Sequence, residues 1–121
     1  MDNINNLQVL KTQIKISGVG VERLCLITLE KYCRERFATS IKFANKQKIR
    51  PLIIYCIKKV GIENQAAARA IGVSVRTMQR CVPAGEFIAM KTPQGKKFYN
   101  EIMKLLTQTI RKKAVQTLAD I

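Results

Sequence analysis

The sequence predicts a mainly α-helical protein, and three observations support that fold class. Apolar residues recur at helical spacing along most of the chain. An alanine-rich run of high helix propensity occupies the centre. The chain has 121 residues, 47% of them apolar, which is enough for one domain with a real core. We therefore expect a single domain, 1–121, with a central three-helix unit, an N-terminal helical segment, a long C-terminal helix and, as an option, a short β-strand.

The centre of the chain has the pattern of a helix, a tight turn and a second helix. Asn64 suits the N-cap of the first helix, ahead of the alanine-rich run. Gly72 is expected to end that helix, because glycine enters the left-handed conformation without a Cβ penalty. A second helix over residues 75–82 then has Ser74 as its cap, and Pro83 is expected to end it.

Small and apolar side chains predict which side of this pair faces inward. Two helices that cross steeply need a small residue at their contact, and Ala68 provides it. The residues expected inside the angle are Ala67, Ile71, Val73, Met78 and Cys81. This arrangement is a helix-turn-helix with the second helix as reader. The candidate DNA-binding residues are then Asn64, Gln65, Ser74, Val75, Arg76, Thr77, Gln79 and Arg80.

The side chains on the second helix suggest different roles in binding DNA. Arginine and glutamine offer paired donors to guanine and adenine, so Arg76, Gln79 and Arg80 are the candidates for base edges. The positive end of the helix suits a phosphate. The smaller side chains have lesser expected roles: a phosphate or the first base for Ser74 and Thr77, and a thymine methyl group for Val75.

The same region resembles a known family. The run Gly61–Ala68, followed by Gly72-Val73-Ser74 and Arg76-Thr77-Met78, is similar to the DNA-binding end of bacterial Fis-type proteins and of NtrC-type enhancer-binding regulators. The likeness extends back over Pro51–Tyr55, which it implies is the first helix of the three-helix unit. The resemblance therefore implies a helix-turn-helix DNA-binding domain over about 51–83.

The net charge points to a polyanionic partner. The formal charge is +14, from 22 basic and 8 acidic residues. Such an excess favours DNA, RNA or an anionic membrane surface. The basic residues are spread along the chain, which favours a folded basic surface over a detachable tail. Candidate phosphate contacts are Lys42, Lys46, Lys48, Arg50, Lys91, Lys96 and Lys97, although a solvated connector is the competing interpretation for residues 38–50.

The N-terminal part, 1–45, is expected to be a helical and dimerisation segment. Its residues 4–16 fit either a helical stripe or a strand. From 21 to 37 the apolar residues, including Leu24 and Ile27, cover the broad face of a buried helix. The helix-turn-helix unit, 46–83, follows, and in it Pro51 opens a helix that ends at Gly61.

The C-terminal part, 84–121, is expected to contain one long amphipathic helix. Residues 86–91 fit a short strand or a wing beside the reader helix. Thr92 as cap and Pro93 as first residue then open the last helix. Its apolar stripe either covers the core or pairs with a second copy, and we favour a homodimer because one reader helix contacts few base pairs. The stripe consists of Phe98, Ile102, Leu105, Leu106, Ile110 and Leu118.

Several function classes lack the residues they need. The chain has no histidine, its eight carboxylates are scattered, and its four cysteines form no Cys-x-x-Cys pair. It has no glycine-rich phosphate loop, and no apolar run long enough to span a bilayer. We therefore expect no enzyme, metal, cofactor, small-molecule ligand or membrane partner, and a cytoplasmic location, at the nucleoid if bacterial.

These observations together predict a sequence-preferring, double-stranded DNA-binding protein that acts as a transcription regulator. Two alternatives stay open. The basic surface can coat DNA or bind RNA without reading sequence. The three-helix unit can also serve as a protein-interaction module in a larger nucleoprotein assembly.

Overall fold

The computed structural model of this chain describes residues 19–42 and 49–119. Within those ranges the protein forms five helices and no strands, which confirms the mainly α-helical class. The predictions for residues 1–17, and for Lys46 and Lys48, lie outside the described residues. The helices are α1 Val19–Phe37, α2 Arg50–Val60, α3 Asn64–Ile71, α4 Val75–Lys91 and α5 Pro93–Ala119.

Helix α2 lies at the centre of the core. Its residues Leu52–Ile57 are all buried, as is Val60. A helix that is apolar all round is buried on every side. The predicted boundaries are confirmed: Pro51 stands in its first turn, and Gly61 ends it in the left-handed conformation with φ 87°.

Helices α1 and α5 lie antiparallel at one side of α2. The hydroxyl of Tyr32 donates to Oε1 of Glu101 at 2.7 Å, and the hydroxyls of Thr28 and Thr109 are 3.2 Å apart. The buried stripe of α5 consists of Phe98, Ile102, Leu106 and Ile110. Except at Leu105, the apolar stripe as far as Ile110 therefore packs within its own chain. The side chain of Leu118, also predicted on this stripe, lies outside the described residues.

Three residues predicted on apolar faces lie at the surface instead. Leu24 and Ile27 of α1 are exposed, as is Leu105 of α5. Helix α1 packs chiefly on α5, so its buried face is narrower than the sequence pattern indicated. The prediction that α1 is buried over its whole broad face is therefore wrong at Leu24 and Ile27. Among the described helices, none has the length and apolar character needed to cross a membrane.

Helix α4 continues beyond the residue at which it was expected to end. Pro83 lies inside it, so the predicted end at residue 82 is wrong, and so is the predicted strand or wing at 86–91. The reason is tertiary packing, because Gly85 and Ala89 are buried on the inner face of α4. A proline inside a helix costs about 3 kcal/mol, and the packing of the continued helix against α2 and α5 opposes that cost. The expected boundary between 83 and 84 consequently falls within one continuous helix.

Gly85 allows α4 to approach α2 closely. A Cβ atom at this position would overlap the carbonyl oxygen of Pro51 and the Cβ of Tyr55. Only a residue without a side chain fits there. The two backbones therefore meet at closer range than any other residue type allows.

A sharp junction separates α4 from α5. The Thr92 hydroxyl accepts a hydrogen bond from the amide of Gly95 at 3.0 Å and donates to the carbonyl of Ile88 at 2.7 Å. Pro93 is the first residue of α5. The prediction of Thr92 as cap and Pro93 as first helical residue is confirmed.

Candidate nucleic-acid interface

The turn between α3 and α4 is built by two residues. Gly72 has φ 83°, and its amide donates to the carbonyl of Ala68 at 2.8 Å. Ser74 is extended, and its hydroxyl oxygen accepts from the amide of Thr77 at 3.1 Å. The predicted roles of Gly72 as helix end and Ser74 as cap are confirmed. Together they set the direction in which α4 leaves the turn.

The inner side of the α3–turn–α4 segment is closed by apolar packing. Ala67, Ile71 and Met78 are fully buried, and the small Ala68 is nearly so. Val73 and Cys81 are partly buried and pack against the same core. The inward orientation predicted for these residues is confirmed. Because this side is fixed in the core, the opposite side of α4 is held toward solvent.

The cap of α3 is Glu63, and the prediction of Asn64 as N-cap is wrong. The Glu63 carboxylate accepts from the amides of Gln65 at 2.8 Å and Ala66 at 2.9 Å. These hydrogen bonds lower the pKa of Glu63. Asn64 is the first helical residue, and its side-chain oxygen accepts from Nζ of Lys58 at 3.0 Å. The longer carboxylate of Glu63 reaches two amides at once, which a cap rule based on residue type does not anticipate.

The outer face of the first turns of α4 carries three long polar side chains. Arg76, Gln79 and Arg80 are all exposed. Their spacing of three and four residues places them on one side of the helix. Neither arginine belongs to any of the three ion pairs found among the described residues. Val75 and Thr77 are partly buried beside them.

A shallow groove of about 290 Å³ lies between α3 and the start of α4. It is lined by Gln65, Ala68, Arg69, Val73 and Val75. Gln65 and Arg69 are exposed, one turn apart on α3. Arg69 was not among the residues predicted to bind DNA, although its spacing of four from Gln65 indicates that the two side chains share a face.

The structure brings one of the predicted phosphate contacts to the turn. Lys42 is exposed, and its side-chain carbons lie 3.7–4.0 Å from where a Cβ of Gly72 would be. Arg50 is partly buried, and its Nε is among the buried atoms without a hydrogen-bond partner in the described region. Lys91 lies roughly 22 Å along α4 from Arg76, at 1.5 Å rise per residue. Lys91 therefore lies apart from the exposed face at the start of α4. Lys96 and Lys97 are also exposed, and they follow on α5.

Two observations describe the metal-ligating and thiol side chains of the described residues. They contain no group of three or more His, Cys, Asp or Glu side chains close enough to hold a metal ion. Burial raises the pKa of Cys25 and of Cys33 to about 12, and it also raises the pKa of Cys56. These thiols are therefore protonated at neutral pH and pack as small apolar groups, as predicted. Cys81 is partly exposed on α4.

Comparisons of this chain with protein-family models, with curated proteins and with solved structures give no match. The likeness to Fis-type and NtrC-type DNA-binding domains therefore rests on the residues quoted above.

Proposed function

We propose that this protein binds double-stranded DNA with a preference for sequence and acts as a transcription regulator. In this proposal α3, the turn at Gly72 and α4 are a helix-turn-helix, α2 is the first helix of the three-helix unit, and α4 is the reader. In this proposal the protein binds DNA and neither catalyses a reaction nor holds a cofactor. Such a protein would act in the cytoplasm, at the nucleoid if its source is a bacterium.

One observation carries the proposal: the solvent side of the first turns of α4 presents Arg76, Gln79 and Arg80 together. The side opposite to them is anchored in the core by Met78. A reader helix needs this combination, because long donors must reach base edges while the helix itself is held rigidly. The charge of +14 supports the same partner through the phosphate backbone.

The proposed contacts follow from the position of each side chain. Arg76 and Arg80 reach guanine and Gln79 reaches adenine, since these pairings supply two donors or a donor and an acceptor in one plane. The capped start of α4 places its positive dipole end against a phosphate. Flanking residues hold the register on the phosphate backbone, and these are Asn64, Gln65, Arg69, Lys42, Ser74 and Thr77. Val75 contacts a thymine methyl group at a base edge.

The test is a selection from a pool of random duplexes, followed by fluorescence anisotropy on the enriched site. We expect an enriched, roughly palindromic sequence. The double substitution Arg76→Ala/Arg80→Ala should weaken binding to that site at least about thirtyfold, because each base contact is worth about 1–3 kcal/mol. The same double substitution should bind unrelated duplexes only a few-fold more weakly.

The matched control is Lys104→Ala/Arg111→Ala, which removes the same charge from exposed positions of α5. It should weaken all duplexes slightly and about equally, as a loss of phosphate attraction does. Equal losses in the two double variants, with no enriched sequence, would instead support a nonspecific coating protein. Absence of binding to DNA and RNA at moderate salt would leave the protein-interaction module.

A further inference from the structure

The outer side of α5 carries a row of exposed polar side chains that the proposed DNA contacts do not use. Their spacing of three, four or seven residues places them on one side of the helix. Leu106, which is fully buried, lies on the opposite side, so the row is directed away from the core. The row consists of Lys97, Asn100, Lys104, Gln108 and Arg111, and we call it the α5 basic row.

The positive charges of the α5 basic row are not neutralised within the chain. The only acidic residue of α5 is Glu101, which lies about one turn from Lys97 and from Lys104. Its carboxylate oxygens accept from the hydroxyl of Tyr32 at 2.7 Å and from the guanidinium of Arg36 at 3.4 Å, both on α1. None of the three cations in the row belongs to the ion pairs found among the described residues. The row therefore presents an uncompensated positive potential to solvent.

Helix α1 shows the ordinary alternative for exposed cations. Nζ of Lys31 lies 4.0 Å from Oε1 of Glu35. Nε of Arg34 lies 3.0 Å from Oε1 of Glu30. The partners in each pair are four residues apart, so α1 supplies the anions for its own cations and needs no external partner there. The two helices therefore differ in charge pairing rather than in exposure.

We propose that the α5 basic row binds the phosphate backbone of a second DNA duplex while α4 reads the first, so that the protein bridges two duplexes. This inference rests on the proposed function. Lysine and arginine attract the phosphates, and the amides of Asn100 and Gln108 between them can donate to phosphate oxygens. Such contacts carry no sequence information, so the second duplex can have any sequence.

The positions of α4 and α5 around α2 separate the two binding faces. Helix α2 is buried on every side, so the helices that cover it lie around it. Helix α4 meets α2 at Gly85, whereas α5 turns Leu106 toward the core. The reader side of α4 and the α5 basic row therefore lie on outer faces that point in different directions. Because a straight duplex bound along one face does not extend along the other, the row is free to bind a second duplex.

The length of the row sets the strength of the expected contact. From Lys97 to Arg111 it spans about 21 Å along α5, at a rise of 1.5 Å per residue. Each DNA strand carries one phosphate about every 3.4 Å along the axis, so the three cations can each meet a separate phosphate. Three phosphate contacts predict a slope of about −2.7 for the logarithm of affinity against the logarithm of salt concentration, or roughly a fortyfold loss of affinity between about 50 and 200 mM salt.

The test measures capture of a second duplex on a first. A duplex with the enriched site is immobilised and saturated with protein, unbound protein is removed, and a labelled duplex of unrelated sequence is added. Wild type should retain the label at low salt. With the immobilised protein quantified at each salt concentration, affinity for the labelled duplex should fall along the slope of about −2.7.

Two charge-matched double substitutions locate the second site. Lys104→Ala/Arg111→Ala should weaken binding of the labelled duplex at least about tenfold and reduce the salt slope by about two, while binding of a single site duplex weakens only slightly. Lys31→Ala/Arg34→Ala, the control on α1, removes the same charge from exposed, ion-paired positions. It should retain the label within about twofold of wild type. Circular dichroism should show that both variants are folded.

Three results would overturn the proposal. Equal losses in the two double variants would assign second-duplex binding to net charge. Full retention of the label by Lys104→Ala/Arg111→Ala would assign bridging to two reader helices of a homodimer. No retained label on wild type, with protein still on the immobilised duplex, would show that the bound protein holds one duplex only. A longer protected footprint on that duplex would then indicate that the row wraps a single DNA.

The two proposals fail separately. The proposed function fails in the selection, where one duplex is bound at a time and no sequence is enriched. The α5 basic row fails with the site intact, when the protein stays on its enriched duplex and captures no other. If the selection enriches nothing, an immobilised duplex of arbitrary sequence still reports whether Lys104→Ala/Arg111→Ala lowers capture of the label.

Discussion

The two halves of α4 differ on their outer faces and agree on their inner ones. Inward, Met78 of the first half and Gly85 and Ala89 of the second are all buried. Outward, the first half presents Arg76 and Arg80, whereas the second presents Phe87. Packing constrains the inner face along its whole length, while the solvent side is free to change character from one turn to the next.

That difference indicates that the two halves of one helix suit different kinds of contact. Cations at the start of α4 suit a polyanion, and apolar residues near its end suit a protein surface. Because both lie on one uninterrupted helix, the distance between them is set by the helical rise. Pro83 marks the boundary between the two halves without ending the helix.

The largest expected effect comes from breaking the inner face that the halves share. Gly85→Ala places a Cβ on the carbonyl of Pro51, which neither backbone can avoid without moving. We expect the free energy of unfolding to fall by about 3 kcal/mol, as overpacking of a core does. Urea denaturation followed by circular dichroism measures it.

Gly20→Ala is the matched control for this substitution, because Gly20 is also helical. Its added Cβ would lie 3.7 Å from the side chain of Lys113, an ordinary contact. Stability should stay constant or rise by about 0.5 kcal/mol through helix propensity. Equal loss or equal retention of stability in the two variants would show that α2 and α4 pack less closely than the overlap at Gly85 requires.

The boundary between the halves is tested by Pro83→Ala. The substitution supplies an amide that can donate to the carbonyl of Gln79, and it removes the clash of the proline ring. After allowing for the greater freedom of the unfolded chain, we expect a gain of about 2 kcal/mol in the free energy of unfolding. Thermal and urea unfolding at low protein concentration measure it. An unchanged or lower stability would contradict a continuous helix strained at this position.

The smallest expected effect concerns the start of the first half. Ser74→Ala removes the oxygen that accepts from the amide of Thr77, and should lower the free energy of unfolding by about 1 kcal/mol. Ser74→Asp keeps an acceptor, so its stability should match wild type, while its negative charge should weaken DNA binding. If Ser74→Ala lost no stability, the hydroxyl would have no role as a cap.

Local signals account for what could be predicted. The end of α3 at Gly72, the cap at Ser74 and the limits of α2 each depend on residues within a few positions of each other. Apolar spacing identified the inward side of α4, and therefore which side chains on its first turns face solvent. The roles assigned to those side chains in DNA binding remain predictions.

The errors share a different origin. Proline is a reliable breaker only when nothing outside the helix opposes it, and at Pro83 the packing of the continued helix on α2 and α5 does. Asn64 ranks high as a cap by residue type, but the neighbouring Glu63 carboxylate is positioned to accept from two amides. Leu24 and Ile27 follow a helical stripe, yet no described helix covers them.

By itself, the sequence determined the helical class, the turn at Gly72 and the cationic outer face at the start of α4, because caps, glycine conformation and side-chain spacing act over one or two turns. Only the tertiary structure decided that α4 continues to Lys91, that α5 packs into its own chain, and that Phe87 and Met90 stand exposed. Those outcomes depend on contacts between segments far apart in sequence, where the free energy of burial exceeds the local preference of any single residue.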